Sequence, residues 1–221
     1  MRTILRSVLG GGASVALPGA ALFAGAGRWD LPWFWAYLGV FGASAVIGLL
    51  LVDPGLVRER LRPGPGGQDY AAAIVIVPVW VAQHVVAGLD VGRYHWTDTV
   101  PAALQAIALA AVAAAMAVTI WAMVVNRFFS SVIRIQTDRG HRLVTSGPYA
   151  YVRHPAYAVA PFLLVGGGVA LGSWLAALIG MLMVLPVLRR TEREDQVLRE
   201  RLAGYRAYAE KVRYRLLPGV W

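Results

Sequence analysis

The chain has 221 residues, of which 58% are hydrophobic and only 15% charged, and its mean hydropathy is +0.57. A water-soluble domain of this size could hardly expose so apolar a surface, so the composition predicts an integral membrane protein. The absence of cysteine excludes disulfides, thiolate metal sites and a thiol nucleophile. A net charge of +9 would suggest nucleic acid as the partner of a soluble protein, but here the charges follow the membrane pattern described below.

Four apolar segments come first in the chain, at about residues 4–26, 32–52, 71–89 and 102–125. Each has the length of a helix that crosses roughly 30 Å of hydrocarbon. The next apolar run, Ala156 to Leu188, is too long for one span, and Gly166-Gly167-Gly168 followed by Gly172-Ser173 predicts that it folds back. The predicted fold class is all-α: an integral membrane helical bundle of four long transmembrane helices plus a C-terminal transmembrane helical hairpin.

The basic residues test this arrangement, because short cytoplasmic loops are enriched in Lys and Arg. With both termini in the cytoplasm, 19 of the 21 basic residues fall on that side, and only Arg28 and Arg93 lie opposite. This asymmetry predicts a multi-pass protein of the cell (inner) membrane. The first apolar run also resembles a cleaved signal peptide, but its length and the aromatic cluster that begins at Trp29 favour a retained helix.

The sequence predicts one membrane domain over residues 1–221, with transmembrane helices in 1–125 and a binding and catalytic region in 126–221. Residues 53–70 are rich in Pro and Gly and resemble a linker. Gln83 and His84 are polar residues inside an apolar segment, where they either bond to neighbouring helices or line a pocket. No metal site is predicted, because the His and carboxylate residues do not recur on one helix in the pattern of a metal-ligand set.

Polar chemistry is concentrated in the segment from Asn126 to Tyr157, NRFFSSVIRIQTDRGHRLVTSGPYAYVRHPAY. Pro155 is a typical first residue of a helix, so His154 is expected beside unpaired helix amides, where an anionic group can bind. The arginines of this segment, taken alone, would also serve to bind lipid headgroups.

A second charged cluster follows Leu188. Six apolar residues recur there at nearly helical spacing and predict a cytoplasmic amphipathic helix on the bundle or membrane surface: Val197, Leu198, Leu202, Tyr205, Ala209 and Val212. Arg190 and Glu194 share a helical face, but in the order that stabilises a helix less well. Another role for this pair is therefore expected.

Together these features resemble the isoprenylcysteine carboxyl methyltransferase family, which is itself similar to the phospholipid N-methyltransferases. The resemblance rests on HRLVTSGPYAYVRHPAY, a run of hairpin length, and then Arg190, Glu194-Asp195, Leu198, Tyr205 and the terminal RLLPGVW. It implies S-adenosyl-L-methionine as the cofactor, in a cytoplasmic-side pocket closed by the C-terminal segment. It also implies a lipophilic small-molecule or lipid substrate that arrives through the lipid bilayer, with neither metal nor nucleic acid as a partner.

The resemblance also implies roles for individual residues. The cofactor would contact Gln136, His141, Arg142, Leu143, Val144, Tyr149, His154, Pro155, Ala156, Tyr157, Glu194 and Asp195. Arg190 and Glu194 are the predicted catalytic residues, and Arg190 would also bind the substrate. Two features depart from the family pattern: Gln136 and His141 are closer together than in eukaryotic members, and Asp195 replaces the usual second Glu.

The sequence is compatible with more than one class of methyl acceptor. A carboxylate, as in an isoprenylcysteine-like molecule, is ionised at neutral pH and needs orientation by Arg190 rather than a base. A phospholipid or other amine, or a phenol, would need a base such as a tyrosine, a histidine or Glu194. Two other interpretations are an NADPH-dependent membrane reductase and a non-catalytic membrane protein.

Overall fold

The computed structural model describes residues 2–67 and 70–221, and no β-strand occurs among them. The predicted all-α class is confirmed. The helices are α1 (Arg2–Ala26), α2 (Pro32–Leu51), α3 (Pro54–Leu61), α4 (Tyr70–Leu89), α5 (Ala102–Val125), α6 (Pro155–Ala170), α7 (Trp174–Arg201) and α8 (Tyr205–Lys211).

Four helical segments in the described residues are long and apolar enough to cross a membrane: Pro32–Leu51, Val75–Tyr94, Ala102–Val125 and Trp174–Arg201. The first three match predicted spans closely, and together the four confirm a multi-pass membrane protein. The apolar parts of α1 (Val15–Ala26) and α6 (Pro155–Ala170) are shorter. That α1 and α6 also cross, and that both termini face the cytoplasm, stay predictions.

The helices pack as a ring, because each of α1, α2, α5, α6, α7 and α4 contacts the next, and α4 contacts α1 again. Leu22, Phe34, Tyr37, Val112 and Ala176 come from four of these helices and are buried in one apolar cluster. The polar pair of α4 bonds within this bundle: Gln83 Nε2 donates to the carbonyl oxygens of Leu164 (2.5 Å) and Ala176 (3.0 Å). His84 Nε2 lies 3.2 Å from the Tyr37 hydroxyl.

The turn between α6 and α7 lies at Gly172-Ser173, the second part of the predicted break, and not at the glycine triplet. The triplet Gly166-Gly167-Gly168 is helical, and the chain reverses at residues 171–173, where Gly172 has φ +88° and Ser173 caps α7. Gly168 serves close packing instead, since a Cβ there would lie 2.2 Å from the backbone nitrogen of Ala177 on α7. Small residues at membrane-helix interfaces have this role, and their poor helix propensity does not break a well-packed helix.

The charged C-terminal cluster also differs from the prediction, because its apolar residues are divided between the end of α7 and a short helix α8. Helix α7 continues without a break to Arg201, and the short α8 follows. The apolar face formed by Leu202, Tyr205, Tyr208 and Ala209 packs against Ile135 and Leu143 of the segment between α5 and α6, as well as against Leu198 and Val212. The amphipathic stretch therefore covers a protein loop.

The connections predicted to share one side of the membrane meet at one end of the bundle. Residues 54–61 form α3 rather than a linker, because Asp53 accepts a hydrogen bond from the Leu56 amide and caps the helix. Glu59 of α3 then pairs with Arg134 of the segment between α5 and α6, at 2.7 Å. At the opposite end, Arg93 donates to the Ala24 carbonyl oxygen, so the two remaining basic connections are also grouped as predicted.

Candidate active site

A cavity of about 440 Å³ occupies the end of the bundle where the segment 126–154 meets helices α3, α6, α7 and α8. Its wall is of two kinds. Ile76 and Val77 of α4, Leu163 of α6 and Val187 of α7 line an apolar part. The remaining wall carries arginine, histidine, tyrosine and glutamate side chains, so one space combines a surface for an apolar chain with groups for a charged molecule.

The cavity collects most of the residues that the sequence nominated. Its wall includes His141, Arg142, Leu143, Val144, Tyr149, His154, Pro155, Ala156, Tyr157, Arg190 and Glu194. Gln136 and Asp195 are completely buried and lie outside this wall. The structure thus brings the residues before α6 and those late in α7 to one place, while the predicted cofactor contacts themselves stay predictions.

Tyr157, Arg190 and Glu194 form one connected part of the wall. Tyr157 lies in the first turn of α6, and its hydroxyl donates to Glu194 Oε2 at 2.7 Å. Arg190, one turn before Glu194 on α7, donates from Nε to the same hydroxyl oxygen at 2.8 Å and from Nη2 to the Ser131 carbonyl at 2.8 Å. A carboxylate and a guanidinium are therefore held in fixed orientation around one phenol, a geometry that suits a ligand carrying both signs of charge.

Asp195 organises the layer behind this wall. Its carboxylate, fully buried, accepts hydrogen bonds from Arg153 Nε at 2.8 Å and from the Tyr205 hydroxyl at 2.8 Å, and it lies 3.3 Å from His154 Nε2. Arg199 and Arg215 complete the shell at 2.9 and 3.1 Å. Three segments distant in sequence are joined at this one residue.

Arg153 carries the connection further. It donates from Nη1 to the carbonyl oxygens of Val212 and Arg213, at 2.8 and 2.7 Å, and so fastens the C-terminal segment beside the cavity. Burial alone would lower the pKa of Arg153, but the hydrogen bond and charge of Asp195 raise it overall. Burial and the Asp195 charge likewise raise the pKa of Tyr205, whose phenol keeps its proton and acts as a donor.

His141 is held as a neutral ring against the loop. Burial and the neighbouring charges of Arg134 and Arg139 lower its pKa to about 4. Its Nδ1 accepts a hydrogen bond from the Gln136 amide at 3.2 Å, and its ring stacks on Phe128 at 4.6 Å between centroids. The Gln136 side chain donates to the Phe128 carbonyl at 2.6 Å, so this residue supports the loop that carries His141.

His154 is placed differently from the expectation for a helix start. It is the N-cap residue of α6, but its side chain makes no capping hydrogen bond. The imidazole is directed instead to Asp195 and, at 3.4 Å, to the Tyr205 hydroxyl. The unpaired amides at the start of α6 are therefore not used by this ring, and Ala156, in that first turn, lines the cavity.

Sequence reasoning missed several residues of the cavity. Tyr205 was assigned to an apolar helix face and to the family resemblance but not to the site, and Tyr208, Phe128, Arg134 and Arg153 had no individual role. All five line the cavity. Arg60 lines it as well, and it comes from the stretch taken as a linker. The sequence does contain one indication of Arg60. Asp53-Pro54 is typical of a helix start, and a helix there would hold the charged residues that follow it in fixed positions.

Fold and site together define a membrane-embedded helical protein with a cavity of mixed polarity at one end of its bundle. Residues 106–200 match the model of the isoprenylcysteine carboxyl methyltransferase (ICMT) family. The match confirms the resemblance predicted from the sequence and supports a membrane methyltransferase. It spans most of α5, all of α6 and most of α7, and it therefore includes Tyr157, Arg190 and Glu194 but neither α3 nor α8. A comparison with curated proteins finds none that matches the chain.

Proposed function

We propose that the protein is an S-adenosylmethionine-dependent methyltransferase of the membrane that acts on a lipophilic acceptor. The observation that carries the proposal is the connected set Tyr157, Arg190 and Glu194 in the wall of a cavity formed largely by the family-matched segment. A cavity of about 440 Å³ also lies within the range of small-molecule sites.

The residues present fit the donor. S-adenosylmethionine, when bound, supplies an electrophilic methyl group on a positively charged sulfur. Glu194 offers a negative charge for that centre or for the ammonium group. Tyr149, Tyr205 and Tyr208 offer aromatic surface for adenine. The carboxylate of the donor would bind the cationic and amide groups near the start of α6, where Arg142 and Ala156 line the cavity.

The acceptor would occupy the other part of the cavity. Ile76, Val77 and Val187 offer an apolar surface for a hydrocarbon chain, and Arg190 stands at its polar edge. The bound donor would supply the methyl group and keep the electron pair of the broken sulfur–carbon bond, and the acceptor would supply the pair for the new bond. The contribution of the protein is alignment and exclusion of water, for which α8 and the C-terminal segment provide cover.

Calorimetry on the purified full chain tests the donor site. We expect S-adenosylmethionine to bind and NADPH not to bind, and we expect Glu194→Ala to weaken donor binding at least about tenfold, the loss typical of one charge-assisted contact. Glu192→Ala is the matched control, because Glu192 is an exposed carboxylate on the same helix and outside the cavity. Equal donor affinity in the two variants, or binding of NADPH alone, would refute the proposal.

The same preparation can separate the two acceptor classes. Incubation with methyl-labelled donor and a membrane lipid extract should give a labelled lipid if the proposal holds. A methyl ester releases labelled methanol in alkali, whereas a methylated amine or phenol keeps its label. The carboxylate assignment requires the first result, since Arg190 can orient a carboxylate without a base.

A further inference from the structure

Arg60 is held in position by its neighbours on α3. Helix α3 is capped by Asp53, and Leu56 is fully buried beneath it. Glu59 bonds to Arg134 with both carboxylate oxygens, at 2.7 and 2.8 Å. Glu59 therefore attaches α3 to the segment between α5 and α6. The adjacent Arg60 lines the cavity that this segment encloses.

The guanidinium of Arg60 lies close to the Tyr157–Arg190 wall. It stands over the Phe129 ring, 5.2 Å from the centroid, and its Nη1 is 3.5 Å from the Phe129 carbonyl oxygen. Arg190 bonds to the carbonyl of Ser131, two residues further along the same loop. Arg60 is an exposed residue, so its guanidinium can contact both solvent and a ligand in the cavity.

Arg60 is exposed, and it differs in its partners from Arg134 and Arg153, two buried arginines of this end. Arg134 pairs with Glu59, and Arg153 pairs with Asp195. Within residues 2–67 and 70–221, no carboxylate of a described side chain lies within ion-pair distance of Arg60. Two neighbouring guanidiniums on one wall repel each other, and an anion bound between them would relieve that repulsion.

We propose that Arg60 determines acceptor specificity: together with Arg190 it binds the anionic group of the lipophilic acceptor. This inference rests on the proposed function and adds a residue from outside the family-matched segment. The position favours the acceptor over the donor, because Tyr157 packs in one apolar cluster with Ile76 and Val187. If the hydrocarbon chain of the acceptor lies along that cluster, its polar end lies beside the guanidinium groups of Arg60 and Arg190.

Binding of palmitate and of its neutral analogue palmitamide to the full chain, in an uncharged detergent, tests the inference. We expect the unaltered protein to bind palmitate at least about tenfold more tightly than palmitamide. Arg60→Gln should remove most of this preference by weakening palmitate alone, and Arg60→Lys should keep part of it, since the charge remains but the planar fork is lost. Arg58→Gln is the matched control, because Arg58 is exposed on the same helix and outside the cavity.

The outcomes separate this inference from the proposed function. A donor titration on the same samples reports the proposed function, which fails if the unaltered protein does not bind S-adenosylmethionine. Intact donor binding with no preference for palmitate, or with the same preference in Arg60→Gln and Arg58→Gln, overturns only the inference about Arg60. Weaker donor binding in Arg60→Gln with unchanged palmitate binding would assign Arg60 to the donor and overturns it as well. A melting curve for each variant identifies misfolding. If Arg60→Gln does not fold, the palmitate preference of Arg60→Lys tests the inference instead.

Discussion

Asp195 joins the parts of the chain that close the cavity. Its carboxylate bonds to Arg153 before α6, to Tyr205 on α8 and to Arg215 in the C-terminal segment. Burying a single carboxylate is costly, but here several cationic and hydroxyl donors surround it. The neighbouring Glu194 lines the cavity instead. Of these two successive acidic residues on α7, one therefore belongs to the cavity wall and the other to the hydrogen-bond network behind it.

Replacement of Asp195 by Asn should destabilise the protein strongly. The amide has nearly the same shape, but it leaves the guanidinium of Arg153, only 2% exposed, without its countercharge. Loss of one partner from a buried pair costs about 3–5 kcal/mol, so we expect a clear drop in the melting temperature. Thermal unfolding in detergent, monitored by tryptophan fluorescence, measures it.

Arg199→Gln is the control for this experiment. Arg199 pairs with the same carboxylate, but its side chain is 42% exposed, so the expected cost is only about 0–1 kcal/mol. Similar melting temperatures for the two variants would mean that Asp195 is not the centre of this network.

At the scale of elements, the crossing of α6 and α7 brings the two halves of the candidate site together. Helix α6 carries Tyr157 in its first turn, and α7 carries Glu194, so the distance between the helix axes controls the bond between these side chains. Gly180 on α7 and Gly168 on α6 permit the close approach, because a Cβ on Gly180 would lie 2.1 Å from the Leu164 carbonyl oxygen. The apolar crossing therefore supports a polar contact near the end of the helices.

The glycine triplet of α6 provides a direct test of this packing. Gly168→Ala should destabilise the protein by about 1–3 kcal/mol or more, since its Cβ would overlap the α7 backbone at 2.2 Å. Gly166→Ala should be neutral or stabilising by up to about 1 kcal/mol, because its Cβ meets nothing closer than 3.7 Å and Ala favours helix. Melting temperatures of the two variants decide, and an equal shift would exclude close packing as the role of Gly168.

Helices whose length is set by the membrane thickness were predictable from the sequence. Helices and turns that depend on local capping or on tertiary contacts were harder to predict. The apolar runs at 32–52 and 102–125 correspond to Pro32–Leu51 and Ala102–Val125, because the hydrocarbon thickness sets their length. Helix α3 was missed, because Pro and Gly composition outweighed the cap at Asp53. The glycine triplet was misread, because propensity measured in water ignores packing between membrane helices.

The same division holds for the site. The family resemblance implied that His154, Tyr157 and Glu194 share one pocket, and the structure places all three in one cavity wall. The contribution of Arg60 could not be deduced in this way, since it depends on how α3 packs against a segment some 70 residues later. Asp195 was grouped with Glu194 as an acidic pair, but successive residues on a helix point in different directions.

At the scale of the whole molecule, the ring of helices has two chemically different ends. One end holds the cavity, α3, α8 and most of the arginines, and the other holds Arg28, Arg93 and exposed aromatic residues such as Trp29 and Trp96. Such asymmetry matches the enrichment of basic residues on the cytoplasmic side of membrane proteins. Under the proposed function, a cytoplasmic basic end would let the cavity receive its water-soluble donor from the cytoplasm.

The natural chain contains no cysteine, so single cysteines can report the side of the membrane on which each end lies. Thr99→Cys marks the connection between α4 and α5, Ser146→Cys the segment before α6, and Ala207→Cys helix α8; all three positions are exposed. If α6 and α7 both cross and the termini are cytoplasmic, a membrane-impermeant maleimide should label only Thr99→Cys in intact cells. Ser146→Cys and Ala207→Cys should react only after the membrane is opened. Labelling of Ala207→Cys together with Thr99→Cys in intact cells would mean an odd number of crossings after Ser146, and the cavity could not then be assembled from α6, α7 and α8 on one side.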